Sequence, residues 1–143
     1  MTCILDRVLV PIASEDDAEA TASTIESHMD RGTAVFVHVI EKAGGAPDKA
    51  SVEQREEYAE KVFEVIRQKL ENTEIEVEES VKYGTDVGDT IIKSAHDHRA
   101  DSIAFTPRSG SKILKLLTGD ITDTLVQNSD IPLVILPHER DED

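Results

Sequence analysis

Residues 8–17 read Val8-Leu9-Val10-Pro11-Ile12-Ala13-Ser14-Glu15-Asp16-Asp17. The apolar run 8–12 is too short for a helix, and Ser14 with Asp17 has the spacing of a capping box. A strand therefore feeds directly into a helix. Downstream, Ala18, Ala22, Ile25 and Met29 recur with helical period and put one apolar stripe against a sheet, and Gly32 is read as the helix stop. That βα step is the unit from which the rest of the chain is built.

The next strand is expected over 34–40. Ser51 and Gln54 repeat the capping-box spacing, and Ala59, Phe63, Ile66 and Leu70 share one face, which predicts a second helix over 52–71. Residues 74–81 alternate instead, with Ile75 and Val77 on one side and Glu76 and Glu78 on the other, so they form a third strand. Asp86 caps a third helix carrying Val87, Ile91 and Ala95. A fourth strand spans 102–105, and Ile113, Leu114, Leu116 and Leu117 suggest a short apolar helical turn. Gly119-Asp120 opens a last helix, and 131–136 is the last strand. Strands separated by helices run parallel, which predicts one α/β domain: a doubly wound, Rossmann-like, five-stranded parallel sheet in the order 3-2-1-4-5 with helices on both faces.

The chain has 143 residues, 30 acidic side chains against 15 Lys or Arg, a formal charge of −15, and one cysteine. Its apolar content supports a packed core over a single domain 1–143, with 139–143 expected as a flexible acidic tail. No apolar run approaches the roughly 20 residues of a membrane span, and the opening residues lack the pattern of a signal peptide, so a cytoplasmic location is expected. The charge opposes a nucleic-acid partner. It is read either as an ordinary solvated surface or as the signature of a halophile with molar salt in its cytoplasm. Cys3 has no intramolecular disulfide partner.

Ligands of open doubly wound sheets sit beyond the carboxyl ends of the strands where the strand order reverses, here between strands one and four. Pro11, Ile12, Ala13 and Ser14 lie at one side of that point, and the segment from Thr106 to Gly119 lies at the other. Arg108, Lys112 and Lys115 fall in this second segment with no acid among them, and Ser109, Ser111 and the N–H groups around Gly110 can donate to an anion. An ordinary Ser/Gly turn would read the same way.

The opening VLVPIASEDDAEA, the second strand ending HVIE and the close TPRSGSKILKLLTGDITDTLVQNSDIPLVILP resemble the universal stress protein family over nearly the whole chain. The resemblance implies a regulatory or binding role in stress response and ATP, with Mg²⁺, as the ligand to consider. It also implies a nucleotide site at Ile12, Ala13, Val39, Thr106, Arg108, Ser109, Gly110, Ser111, Gly119 and Asp120. The family's phosphate motif has glycines at two positions where this chain has Thr106 and Ser109, then Gly119, then Ser or Thr where this chain has Asp120. A one-residue shift would let Gly110 take the second glycine place. The aspartate that nucleotide-binding members carry after strand one is Ala13 here.

These substitutions oppose phosphate binding. A Cβ at Thr106 and Ser109 blocks close approach of phosphate to backbone. Asp120, with Asp123 three residues on, is read as an N-cap using the donors a phosphate needs. A phosphate about 4 Å from that carboxylate meets roughly 1 kcal/mol of repulsion per charge pair in water and roughly 4 at an effective dielectric of 20. Bridging by Mg²⁺ would reverse that sign. The sequence thus predicts a non-enzymatic module with weak or absent ATP binding, the alternative being an ATP-binding switch with a modified loop.

No other constellation amounts to chemistry. His96 and His98 point to different helix faces, so one metal cannot readily take both and they are read as solvated; His38 lies near the cleft without an evident partner and is expected to titrate near neutrality. No metal site and no catalytic residue is assigned. Leu133, Val134, Ile135 and Leu136 are apolar on both faces at the expected sheet edge, which points to a homodimer through the last strand, between the stops Pro132 and Pro137, or to an edge covered by the tail.

Overall fold

The computed structural model describes residues 3–41, 49–106 and 119–137. The elements are β1 (Arg7–Pro11), α1 (Glu15–His28), β2 (Arg31–Glu41), α2 (Lys49–Leu70), β3 (Glu74–Gly84), α3 (Val87–Asp97), β4 (Ser102–Phe105), α4 (Gly119–Asn128) and β5 (Leu133–Ile135). They form one parallel sheet in the order β3-β2-β1-β4-β5. The expected Rossmann-like α/β architecture is therefore present.

Strand alternation sorts the core into two layers. Val8, Val10, Ala34 and Phe36 face α1 and α2, where they meet Ala18, Ala22, Ile25, Ala59, Phe63 and Ile66. Leu9, Val35 and Val37 face the other way, onto Ile91 and Ala95 of α3 and Leu125 of α4. Central strands with apolar residues on both faces follow from this double cover. On β3, Ile75 and Val77 pack into the α1/α2 layer. Glu78 instead meets Arg7, whose guanidinium donates to both carboxylate oxygens at 3.1 and 2.8 Å while its Nε donates to the His98 carbonyl.

Ser14 is the N-cap of α1, its hydroxyl accepting from the Asp17 N–H, and Asp86 caps α3 through the Asp89 N–H. Three boundaries differ from expectation. Gly32 does not stop α1, which ends four residues earlier; it is the second residue of β2, at φ +120°, where an added Cβ would lie 2.9 Å from the Leu5 carbonyl oxygen. The expected second-helix cap, Ser51, lies inside α2, which starts upstream at Lys49. The Gly119-Asp120 pair already belongs to α4, so Asp120 is its second residue rather than its N-cap. The expected apolar turn at 113–117 and the acidic tail lie outside the described residues.

Candidate functional site

The carboxyl ends of β1 and β4 are adjacent, with Val8 paired to Ser102 and Leu9 to Ile103. By that register the turn 12–14 and Thr106 stand at the same end of two neighbouring strands. Thr106 is only 7% exposed, so a side chain fills the place where relatives of the motif keep a glycine. α4 begins at Gly119, the one surviving glycine of the pattern. Its packing against α3 is set at Gly88, where an added Cβ would lie 2.6 Å from Thr124 Cγ2. Arg108, Ser109, Gly110 and Ser111 lie outside the described residues, as does the side chain of Asp120.

The backbone of the β1–α1 turn is bonded from within. The Ile12 N–H donates to the Val37 carbonyl at 2.9 Å, and the Ala13 N–H donates to Asp17 Oδ2 at 2.8 Å. His38 Nδ1 lies 3.0 Å from the Ile12 carbonyl oxygen; because a carbonyl only accepts, Nδ1 carries the proton. Asp17 is 1% exposed, and its second oxygen accepts the Thr21 hydroxyl at 2.8 Å. Burial pushes its carboxyl up to about 6, against the lowering effect of the Ala13 and Thr21 bonds. These contacts place a buried acid under the turn, four residues from the position where nucleotide-binding members carry their aspartate.

His38 has the partner that its sequence context did not reveal. Burial holds its pKa below the ordinary imidazole value, against the raising effect of the Ile12 carbonyl, which corrects the expectation of titration near neutrality. On the same face, a cavity of about 540 Å³ is lined by Ala13, His38, Val39, Ile40, Glu41, Gln54, Arg55 and Tyr58. The Tyr58 ring meets the His38 ring edge-on, with centroids 6.1 Å apart, and its hydroxyl accepts from the Glu15 N–H. Arg55 is held by the Glu41 carbonyl at 2.9 Å. Of these residues, sequence reasoning placed only Ala13 and Val39 in a site. Asp17 and Tyr58 were legible as a helix cap and a helix residue, and nothing in their spacing marks them as neighbours of the turn.

The two helix-end histidines have different surroundings. His96 bonds to Asp130 at 2.8 Å, whereas His98, expected to be solvated, keeps a buried Nε2 without a partner. Among the described residues, no group of three or more His, Cys, Asp or Glu side chains is arranged to hold a metal ion. No described helix is long and apolar enough to cross a membrane.

No curated protein matches the chain. Among solved structures, it is similar to the universal stress protein UspA of Lactobacillus plantarum, at 17% identity and a TM-score of 0.66 over 94% of this chain and 99% of that one. It is also similar to a universal stress protein of Archaeoglobus fulgidus in complex with dAMP, at 17% identity and a TM-score of 0.63, covering 94% and 99%. A universal stress protein family member of Arabidopsis thaliana with AMP bound matches at 18% identity and a TM-score of 0.65, covering 94% and 93%. At these identities the likeness is one of fold. The profile of the universal stress protein family itself matches residues 5–137. Nearly the whole chain is thus accounted for, and it belongs to the universal stress protein family.

Proposed function

We propose that this chain is a cytoplasmic, non-enzymatic binding or regulatory module of stress response in which ATP binding is weak or absent. The observation that carries this reading is the internal satisfaction of the β1–α1 turn. Ile12 N–H, Ile12 C=O and Ala13 N–H are all engaged by the protein itself, and Ala13 offers no side-chain acceptor. A nucleotide seated there would have to displace bonds already made, each worth about 1 kcal/mol net, and leave Asp17 buried with one donor fewer. On this reading the bonds made within the turn oppose the nucleotide that the family's motif would hold.

The second reading is an ATP-binding switch. It is favoured by α4 starting at Gly119 and by the AMP and dAMP bound to two structurally similar proteins. Calorimetric titration of Mg·ATP in about 0.15 M and about 2 M KCl separates the two, since salt weakens any Asp120 repulsion but not the occupied donors. The expected result is no saturable heat at micromolar protein in either salt. Micromolar affinity would overturn the proposal. The variant Thr106→Gly/Ser109→Gly/Asp120→Ser is expected to raise nucleotide affinity at least tenfold, and unchanged binding would mean that the obstruction lies elsewhere.

The proposed assembly is a homodimer through β5. This strand lies at the sheet edge, is three residues long, and leaves Ile135 54% exposed, while Leu133 and Val134 pack on opposite faces of the sheet and Leu136 is buried. An exposed apolar edge is the kind of strand a two-fold mate covers.

A further inference from the structure

β3 is an edge strand that lacks most of the features by which edges are closed. It runs for 11 residues, and each pairs one-to-one with β2, so the strand carries no bulge. It also contains no proline. Among the described residues no strand lies on its other side, so alternate backbone N–H and C=O groups point away from the sheet. Natural edges are blunted by shortness, bulges, proline or charge, and charge alone is left here. That charge is mostly of one sign, with Glu74, Glu76, Glu78 and Glu79 against Lys82. A second copy laid along this edge would bring glutamates together, whereas a basic strand would meet opposite charge.

Beside the edge is a groove suited to long cationic side chains. Ile75, Val77 and Val81 pack toward the α1/α2 layer, and Glu79 and Tyr83 share their odd spacing and reach α2 as well. Between α2 and β3 lies a space of about 240 Å³, in which Ala59, Phe63 and Val81 supply apolar surface and Glu56, Glu60 and Glu79 supply carboxylates. Arg67 donates to Glu60 and Glu79, and the Tyr83 hydroxyl donates to Glu56. Three carboxylates facing one guanidinium leave the groove negative. The Arg67 and Glu60 side chains are about half exposed, so their pairing is weak and open to exchange. A lysine stem can lie on the apolar surface while its ammonium reaches the carboxylates.

We propose that the outer edge of β3, with this groove, docks an extended basic segment of a partner protein, which joins the sheet as a further strand and lays alternate Lys or Arg side chains over the groove. Main-chain bonds to β3 give such a complex its affinity, and the alternate side chains give it selectivity. The turn 12–14, β1 and β4 take no part in the groove, so the site goes beyond the nucleotide question and does not depend on its answer.

The test titrates the end-blocked peptide Lys-Val-Lys-Val-Lys-Val-Lys into the full ¹⁵N-labelled chain at about 0.1 M KCl, where exposed charges still interact over about 10 Å. Saturable binding below about 1 mM is expected, with shifts at the amides of 77–83 and slowed hydrogen exchange along β3. Proline in place of each valine keeps the charge but removes alternate donors, and should weaken binding at least about tenfold. Glutamate in place of each lysine should abolish it. Glu56→Gln/Glu60→Gln/Glu79→Gln should weaken the lysine peptide roughly fivefold, whereas Asp16→Asn/Glu19→Gln/Glu26→Gln, removing the same charge from exposed positions of α1, should stay within about twofold. Arg67→Ala, which frees Glu60 and Glu79, should tighten binding roughly twofold. Equal affinity for the valine and proline peptides would reduce the effect to charge attraction and overturn the proposal, as would equal weakening by the two triple variants or no shift in β3. Concentration-dependent shifts of the β3 amides without peptide would assign the edge to a second copy and overturn it too.

Discussion

The Asp17 carboxylate is held by the Ala13 N–H and the Thr21 hydroxyl, with no cation bonded to it among the described residues. Its folded-state pKa is raised from 3.8 to about 6, so the folded protein binds this proton more tightly than the unfolded chain does. The contribution of the group is therefore fully present below about pH 4 and is lost as pH rises through about 6, to an extent on the order of 3 kcal/mol. Asp17→Asn keeps one acceptor and cannot ionise. Urea unfolding at pH 7 and pH 4.5 should show the parent gaining roughly 2 kcal/mol on the variant as pH falls. A constant difference between the two proteins would mean that Asp17 ionises freely in the fold. The residue was legible only by half. Ser14 and Asp17 were recognisable as a capping pair, but a capping-box acid is usually wet. This one is buried, 1% exposed, on a helix whose Ala18 and Ala22 pack in the same layer as Val8 and Val10 of β1.

At the scale of elements, α3 and α4 approach closely at Gly88 and Thr124. A methyl group at Gly88 meets two Thr124 carbons at 2.6 and 2.8 Å, so one helix has to move. Gly88→Ala is expected to destabilise the fold by about 1–3 kcal/mol, the usual cost of overpacking, and Gly88→Ala/Thr124→Ala should recover part of it because Cγ2 is removed. Full stability of Gly88→Ala in chemical denaturation would show that α4 sits loosely on α3. Among the described residues, the sequence pattern found each strand and helix where a regular apolar stripe or run is buried, as Ala59, Phe63, Ile66 and Leu70 are on α2. It placed ends less well where the determinant is not periodic. Gly32 reads like a helix stop, yet its role is a positive φ beneath the Leu5 carbonyl, a contact made by residues 27 positions apart in sequence. Ser51 has a cap's identity without a cap's position, since α2 continues upstream of it. The site suffered most: His38 and Tyr58 meet only once β2 and α2 are packed.

For the whole molecule, charge and assembly are one problem. Pairing two chains of −15 through β5 brings like charges together, so association and folding should both strengthen as salt shortens the Debye length from about 10 Å at 0.1 M to about 3 Å at 1 M. Local pairs relieve little of this repulsion. Arg67 bridges Glu60 and Glu79 at the surface, a contact worth at most about 1 kcal/mol after screening. Sedimentation at about 10 µM chain should give a dimer in 1 M KCl and a larger monomer fraction at 0.05 M. Because a dimer binds its own folded partner, the unfolding midpoint should also rise with protein concentration. Ile135→Arg, made at a position exposed in the single chain, should abolish that concentration dependence and leave a folded monomer still stabilised by KCl. A monomer mass for the parent in both salts would remove the β5 dimer, whereas salt stabilisation of that monomer would preserve the charge argument. The two claims therefore stand or fall separately, the first on the exposed edge at Ile135 and the second on the excess of carboxylates over cations.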